Sequence, residues 1–311
     1  MTKRTIRLGT RKSALAKWQA NWVSDQLAQL GCDVDMVYIS TQGDQQSAPL
    51  STIGGQGVFT KEIQRALLAK EIDLAVHSLK DLPTETVDGL SIAATPERES
   101  VHDVMIFHER LLAAGIKSID QLPPNCKIGT GSLRRQAQLL SLRDDLLVEE
   151  IRGNVDTRLA KLDDGQFDAI VLAEAGLKRL GLSNRIDYII PFSQMLPAVG
   201  QGSLGLEVRT DDESTRQEVS RLNDENTMYS TTAERTLLSS LRGGCMAPVA
   251  ARARIQENQL CMDAVVLSGD GKKRLDVSVS DLPEHAKQLG IAAAEQLLAD
   301  GAKELIAASR K

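Results

Sequence analysis

The sequence predicts an α/β protein with two lobes joined by a double-crossover hinge, plus a smaller C-terminal α+β domain. Three features support this prediction. Strand-like and helix-like runs alternate from the N-terminus onward, which is typical of βαβ units. Two irregular stretches, 96–100 and 192–202, interrupt the alternation and would take the chain from one lobe to the other and back. After Asp224 the pattern changes to a helix, a loop and two strand-like runs.

The first lobe opens with a strand at residues 6–8 and a helix from Ala14 to Leu30, which Gly31 ends. A strand at 204–208, beyond the second crossing, is expected to rejoin its sheet. The first domain is therefore predicted to be discontinuous, with residues 1–98 and 200–220. The other runs assigned to it are strand 34–40, helix 61–69, strand 74–77 and strand 90–94.

The second lobe, residues 103–195, repeats the alternation with short polar turns. Residues 224–311 form the predicted third domain, in which strands 249–255 and 260–267 precede helices that end near residue 308. A chain of 311 residues exceeds what one hydrophobic core usually supports, which favours this division. The runs assigned to the second lobe are strands 104–107, 127–129, 147–151 and 169–172 and helices 133–142 and 155–163.

Composition argues against several classes of protein. With 42% hydrophobic and 25% charged residues we expect globular domains, and the net charge of -5 argues against a nucleic-acid partner. No apolar run reaches membrane-spanning length and the N-terminus lacks an export signal, so we expect a cytoplasmic protein with no membrane partner. The four cysteines form no C-x-x-C pair and have no histidine at metal spacing, so we expect no metal site.

The segment 129–135, Gly-Thr-Gly-Ser-Leu-Arg-Arg, lies between a predicted strand and a predicted helix. Backbone N–H groups at such a turn favour an anion, and Arg134 and Arg135 add planar donors that suit a carboxylate, with hydroxyl groups from Thr130 and Ser132. Two other interpretations remain open. Ser132 only caps the helix while the arginines are solvated, or the turn binds a dinucleotide, although Arg134 then occupies the third glycine position.

Two further turns share this design. Because the carboxyl ends of parallel strands meet at one edge of a sheet, their arginines are expected to line a cleft between the lobes and bind an anionic ligand. Arg179 is a further arginine in a short polar motif. The residues of the two turns are Arg152, Gly153 and Arg158 in the second lobe and Arg11 and Ser13 in the first.

The run 75–83 ends a buried strand and brings Ser78, Lys80 and Asp81 to its carboxyl edge, where α/β proteins bind ligands. In a cleft lined by arginines, Asp81 is suited to stabilise a developing cation or to shuttle a proton. Its alternative role is to form the turn before the proline. His77 is expected to be a packed histidine at the end of the strand.

Residues 53–59 are rich in glycine but lack the G-K-[ST] ending of a nucleotide-binding loop, so we predict a flap. Phe59, one of four phenylalanines, either stacks on a planar ligand or packs in the core.

The segment 241–248 presents Cys245 on a loop after a helix. Gly243 and Gly244 remove Cβ atoms that would crowd the thiol, and Pro248 stops the backbone from returning to helix. Cys245 is therefore either a reachable thiol or a small buried apolar residue.

In this order the motifs resemble those of the hydroxymethylbilane synthase (porphobilinogen deaminase) family, over essentially the whole chain. The resemblance implies two lobes like those of periplasmic binding proteins, and a dipyrromethane cofactor held by a thioether to Cys245. It also implies stepwise addition of four porphobilinogen units to that primer with loss of ammonia, then hydrolytic release of the linear product. The segments that show the resemblance are 75–83, 129–136, 152–159, 197–202 and 234–248.

The resemblance implies roles for individual residues. Asp81 is expected to be the catalytic carboxylate, facing pyrrole nitrogens on which positive charge develops. The family also suggests a monomer. The residues expected to bind the cofactor are Cys245, Lys80, Ser78, Thr130, Ser132, Arg134, Arg135, Arg152 and Gly153, and those expected to bind porphobilinogen are Arg11, Ser13, Phe59, Arg158, Arg179 and Gln201.

Four positions differ from the family's usual pattern. Thr52 and Gln56 stand where the flap often has lysines, Gly131 where serine is frequent, and Ala247 where threonine or a β-branched residue is commoner. These differences bear on flap contacts and ligand affinity, and they leave Asp81 and the cofactor cysteine in place.

Two alternative functions come from the same features. A noncatalytic two-lobe anion-binding module would suit the double crossover, but it explains neither the third domain nor the Cys245 loop. A nucleotide-dependent oxidoreductase would use residues 129–134, whose glycine spacing is incomplete.

Overall fold

The computed structural model describes residues 5–40, 60–244 and 247–309. Within these ranges the strands, in chain order, are β1 (Thr5–Thr10), β2 (Asp33–Tyr38), β3 (Leu74–Ser78), β4 (Leu90–Ala94), β5 (Asp103–Phe107), β6 (Lys127–Gly129), β7 (Leu147–Glu149), β8 (Ala169–Ala173), β9 (Tyr188–Ile189), β10 (Leu204–Arg209), β11 (Val249–Gln256), β12 (Gln259–Leu267) and β13 (Arg274–Asp281). The helices are α1 (Ala14–Gln29), α2 (Lys61–Leu68), α3 (Glu109–Ala113), α4 (Leu133–Leu142), α5 (Val155–Asp163), α6 (Glu174–Arg179), α7 (Glu213–Ser220), α8 (Glu225–Ser240), α9 (Ala286–Ala299) and α10 (Ala302–Ala308).

Two five-stranded mixed sheets form the two lobes. The first has the order β2-β1-β3-β10-β4, with β1 parallel to β2 and β3 and with β10 antiparallel to β3 and β4. The second has the order β7-β6-β8-β5-β9, with β6 parallel to β7 and β8 and with β5 antiparallel to β8 and β9. The same arrangement therefore occurs twice: parallel strands on one side, and antiparallel strands beside the crossings.

The central strands are buried on both faces because helices cover them. All five residues of β5 and all six of β10 are buried, and their apolar side chains suit a sheet packed on both sides. Polar residues with fixed roles begin the helices. Ser13 caps α1 by accepting a hydrogen bond from the N–H of Ala16 at 3.3 Å, and Asp224 caps α8 by accepting from Thr227.

Two segments, 95–102 and 190–203, cross between the lobes and contact each other. The N–H of Glu99 donates to the carbonyl oxygen of Gly202 at 3.2 Å, and Arg98 Nε donates to that of Gln201 at 2.9 Å. Gly202 has φ +85°, and a Cβ built there would lie 2.4 Å from the carbonyl oxygen of Glu99. The hinge therefore requires glycine at this position so that the crossings can meet.

The third sheet, β11-β12-β13, is antiparallel and packs against α8 and α9. A buried carboxylate joins it to the hinge. Glu234 on α8 accepts both Nη groups of Arg98, at 2.8 and 2.9 Å, and the N–H groups of Gly200 and Ala253, each at 2.8 Å. Arg98 belongs to the first crossing, Gly200 to the second and Ala253 to β11, so this one side chain holds three parts of the molecule together.

The predicted strands and helices are present, with ends that mostly shift by one or two residues, and β10 lies in the first sheet as predicted. Strand β13 was not predicted, although Leu275, Val277 and Val279 alternate with polar residues along it. Among the described residues, no helix has both the length and the apolar character needed to cross a membrane. None of their His, Cys, Asp and Glu side chains gather in a group suited to a metal ion.

Candidate active site

The site begins where β3 ends, at a short 3-10 helix, Leu79–Asp81. Leu79 is buried and its N–H donates to the carbonyl oxygen of Ser203 at 3.0 Å, which fixes the turn on the second crossing. Ser78 Oγ accepts a hydrogen bond from Gln19 Nε2 at 2.8 Å. Asp81 is exposed and has no hydrogen bond or ion pair with any described residue. Its carboxylate is therefore held by the backbone and left available to a ligand.

Lys80 precedes this carboxylate and is half-buried. Burial lowers the pKa of its ammonium group from 10.5 to about 8; Arg135 and Arg134 add to the decrease, while Asp81 and Asp103 oppose it. These contributions join the first lobe to the second, because Asp103, Arg134 and Arg135 belong to the second lobe. The charge of Lys80 is therefore influenced by groups of both lobes.

Arg134 and Arg135 begin α4, at the predicted anion turn. Neither is solvated: they are 4% and 6% exposed, and both donate to Asp103. Arg134 Nη1 lies 2.7 Å from Asp103 Oδ2, while Arg135 Nε and Nη2 lie 3.0 and 2.8 Å from Oδ1. The two guanidinium groups share one carboxylate, so the group of three carries a net positive charge.

The two hydroxyl groups of this turn have different environments. Thr130 is buried, and its Oγ1 accepts from the N–H of Ser132 at 3.3 Å. Ser132 stands at the N-cap of α4, but its side chain makes no capping hydrogen bond. Its hydroxyl group is therefore available to a ligand, whereas that of Ser13 accepts a hydrogen bond as the cap of α1 and keeps only its own proton to donate. At Gly131, a Cβ would lie 3.0 Å from the carbonyl oxygen of Ile151, so serine here would require a small backbone shift.

The second anion turn joins β7 to α5. Arg158 Nε donates to the carbonyl oxygen of Gly153 at 2.7 Å, and Arg152 pairs with Glu150. Gly153 has φ +112°, and a Cβ there would collide with Thr157 at 2.6 Å, so only glycine fits this turn without strain. The glycine thus permits the backbone shape that orients Arg158.

Charges from both lobes meet at Arg158. Burial, helped by the positive charges of Arg135 and Arg152, lowers the pKa of Arg158 to about 10. The negative charge of Asp81 opposes this decrease. Arg158 is therefore influenced by the Asp81 carboxylate of the first lobe and by the arginines of its own lobe. The charges of Lys80, Asp81, Arg135, Arg152 and Arg158 are therefore linked through these interactions, while the ligand contacts expected for these residues stay a prediction.

Arg11 follows β1 and is half-buried at the same sheet edge as Ser78, because β1 and β3 run parallel. Two other predicted residues lie apart from this group. Arg179 is 9% exposed, donates to the carbonyl oxygen of Gly202 at 2.7 Å and stacks near Trp18, lining a separate cavity of about 310 Å³. Gln201 is fully buried and donates to Asp103 Oδ1 at 3.0 Å. Their described contacts are with the hinge and with Asp103, and the substrate contacts expected for them stay a prediction.

Cys245, Phe59, Thr52 and Gln56 lie outside the described residues. The neighbours of the cysteine loop are described. Gly244 and Lys80 line the same small pocket, and Arg235 donates to the carbonyl oxygens of Leu82 and Pro83 at 3.0 and 2.7 Å. The end of α8 is therefore fastened to the loop that bears Asp81. Ala247 is buried, and a Cβ built at Gly243 would lie 3.2 Å from the Cβ of Ala247.

His77 is a packed residue, as expected: it is buried and its Nε2 lies 3.0 Å from Glu207 Oε2. Sequence reasoning missed Asp103 and Glu234 as partners of arginines. Asp103 follows a crossing and opens a wholly apolar strand, Val-Met-Ile-Phe. A single acid at the edge of such a strand must be paired when buried, and this was the available signal.

The fold and this site define a two-lobed α/β enzyme whose cleft combines arginines with the exposed carboxylate of Asp81. The family model described as porphobilinogen deaminase, dipyromethane cofactor binding domain, matches residues 6–217, and the model of the porphobilinogen deaminase C-terminal domain matches residues 228–299. The chain therefore belongs to the porphobilinogen deaminase family.

Named relatives agree over the whole length. The chain is 48% identical to porphobilinogen deaminase of Chlorobium chlorochromatii, over 99% of both chains. It is 44% identical to that of Geobacter metallireducens, over 99% of this chain and 95% of the relative. Among solved structures, the methionine binding protein MetQ is 13% identical with a TM-score of 0.46, over 74% of this chain and 94% of that one.

Proposed function

We propose that this chain condenses four porphobilinogen molecules, head to tail and with loss of ammonia, onto a covalent dipyrromethane primer and then releases linear hydroxymethylbilane by hydrolysis. Family membership supports the reaction and the cofactor. Among the structural observations, the exposed carboxylate of Asp81, whose charge acts on both Lys80 and Arg158, supports it most directly.

The donor set of the cleft fits the primer. A dipyrromethane has two pyrrole N–H groups and four carboxylates, from one acetate and one propionate on each ring. Asp81 is an acceptor suited to the N–H groups, and the cationic and hydroxyl groups around it are donors suited to the carboxylates. The residues that would hold the primer are Lys80, Ser78, Thr130, Ser132, Arg134, Arg135, Arg152 and Gly153, with Cys245 as the point of attachment.

When bound, the primer supplies the pyrrole carbon to which the first unit is added. The protein residues provide binding and electrostatic stabilisation. Asp81 would accept hydrogen bonds from pyrrole N–H groups and stabilise the positive charge that develops on them. By comparison with other preorganised electrostatic groups, this is worth about 3 to 4 kcal/mol, or ~100-fold to ~1000-fold in rate.

The arginines would bind acid groups rather than take part in proton transfer. A guanidinium keeps its charge across the physiological range and offers two parallel donors to a carboxylate. Arg158 and Arg11 would hold the acetate and propionate of the incoming porphobilinogen, with Ser13 and Phe59 as further substrate contacts. We assign Arg179 and Gln201 an indirect role through the hinge, in agreement with their contacts.

We further propose a monomeric, cytoplasmic enzyme with three domains, residues 1–98 with 200–220, 103–195 and 224–311. The separate sheets and the two crossings support this division. The noncatalytic anion-binding module has no structural observation in its favour that the enzyme does not also explain.

The proposal is tested by Asp81→Asn, which removes the charge and keeps the shape. The matched control is Asp88→Asn, because Asp88 is also exposed and lies in the same lobe before β4. We expect Asp81→Asn to fold and carry the primer but to consume porphobilinogen ~100-fold to ~1000-fold more slowly. Asp88→Asn should turn over normally. Near-normal turnover by Asp81→Asn would remove this carboxylate from the mechanism.

A further inference from the structure

Asp103 is the first residue of β5 and lies directly after the first crossing. It is 1% exposed and accepts from three side chains: Arg134, Arg135 and Gln201. We propose that Asp103 is a positioning residue for carboxylate binding, which fixes the orientation of Arg134 and Arg135 and, through Gln201, couples that orientation to the hinge. This inference rests on the proposed role of the two arginines in binding acid groups.

Each guanidinium has more than one hydrogen-bond partner. Arg134 Nη1 donates to Asp103 and also to the carbonyl oxygen of Leu196 at 2.6 Å, and Arg135 Nη1 donates to that of Val171 at 3.0 Å. Two partners on different elements fix the plane of a guanidinium. Arg134 Nη2 makes no hydrogen bond to a described residue and is not completely buried. This edge is the one left for a ligand.

Gln201 connects Asp103 to both crossings. Its Nε2 donates to Asp103 Oδ1 at 3.0 Å and to the carbonyl oxygen of Val101, in the first crossing, at 2.8 Å. Its own carbonyl oxygen, in the second crossing, accepts from Arg98 at 2.9 Å. A change in the angle between the crossings therefore moves the side chain that contacts Asp103. The alignment of the arginines follows the state of the hinge.

Electrostatics agree with this geometry. Burial raises the pKa of Asp103, but Arg134 and Arg135 outweigh it and hold this pKa well below its usual value, so the carboxylate stays charged. One negative and two positive charges leave one uncompensated cation at the cleft wall. Asp103 thus offsets the repulsion between the arginines without cancelling their attraction for an acid group.

The first lobe contains a matched control. Asp73 is 3% exposed and also pairs with two arginines: it accepts from Arg7 at 2.8 and 2.9 Å and from Arg209 at 2.9 Å. It precedes β3, whereas the site lies beyond the other end of that strand. A purely structural role for Asp103 predicts that Asp73→Asn and Asp103→Asn behave alike.

The experiment compares the thermal midpoint, the resident primer mass and the KM and kcat for porphobilinogen of the two variants and the wild type. Both variants should have a lower thermal midpoint than the wild type. Only Asp103→Asn should raise the KM for porphobilinogen, by ~10-fold to ~100-fold, because a charge-assisted hydrogen bond that holds an acid group of the primer, onto which porphobilinogen is added, is lost or misaligned. It should also reduce the thermal stabilisation that added porphobilinogen gives. Equal KM values for the two variants would overturn the inference.

A second variant covers the case in which Asp103→Asn does not fold. Gln201→Met keeps the volume and both ion pairs of Asp103 but removes the link to the hinge. We expect a KM increase of ~3-fold to ~10-fold with little change in kcat, because Asp103 loses the hydrogen bonds through which Gln201 links it to the hinge and the arginines are less well aligned. An unchanged KM in this variant would overturn the coupling to the hinge. Failure of the wild type to consume porphobilinogen would instead contradict the proposed function.

Discussion

Lys80 is predicted to lower the stability of the primer-free protein, because the fold holds its ammonium group in a partly desolvated place near arginines. The pKa falls from 10.5 to about 8, and each unit corresponds to about 1.36 kcal/mol. Since the side chain is half-buried, we expect Lys80→Met to raise the free energy of unfolding at pH 7 by about 1 to 3 kcal/mol.

The difference in stability between Lys80→Met and the wild type depends on pH. Between about pH 8 and pH 10 the folded lysine has lost its proton and the unfolded chain keeps it, so the unfolded state binds more protons and wild-type stability rises with pH. The advantage of Lys80→Met is therefore complete below about pH 8 and shrinks as the pH approaches 10.5.

The assay is urea unfolding at several pH values, with Cys245→Ala in both proteins so that no primer is attached. The matched control is Lys117→Met, since Lys117 is exposed on the second lobe. In primer-loaded protein the gain should disappear, because the acid groups of the primer would pair with the lysine. A difference below about 0.5 kcal/mol at pH 7, or one independent of pH, would refute the reasoning.

Two further variants test the buried ion pair at the hinge and the turn that contains Gly153. Glu234→Gln should lower the free energy of unfolding by about 3 to 5 kcal/mol in urea, because Arg98 would stay buried without its charged partner; Glu213→Gln, in an exposed pair, should change it by less than about 1 kcal/mol. Gly153→Ala should lower the thermal midpoint and raise the KM for porphobilinogen, because the new Cβ collides with Thr157 beside Arg158. The control is Gly181→Ala, because Gly181 also has a positive φ but its Cβ would meet no atom within 4 Å. This control should lower only the thermal midpoint. Normal KM for Gly153→Ala would contradict the role of the turn.

Much of the fold could be predicted because local signals agree with it. Apolar runs such as Leu74–Ser78 are buried on both faces, and glycines end the helices and fill the turns. The charge of Asp81 acts on both Lys80 and Arg158, although Asp81 belongs to the first sheet and Arg158 to the second.

The rest depended on contacts between residues far apart in the chain. Asp103 meets Arg134 across 31 positions and Gln201 across 98, and no local pattern encodes such pairs. Arg179 lies in a short polar motif of the kind that binds ligands, yet it donates a hydrogen bond to a carbonyl oxygen of the hinge. Sequence identifies which groups are available, while the crossings decide which of them face the cleft.

Intact-protein mass spectrometry tests the central claim most directly. The purified chain is measured before and after brief exposure to porphobilinogen, with Cys245→Ala as the control. We predict a resident mass increment of two pyrrole units and then a ladder of single-unit additions, both absent from the control. A folded protein whose mass stays unmodified after ample porphobilinogen would contradict the account and return the chain to the class of anion-binding modules.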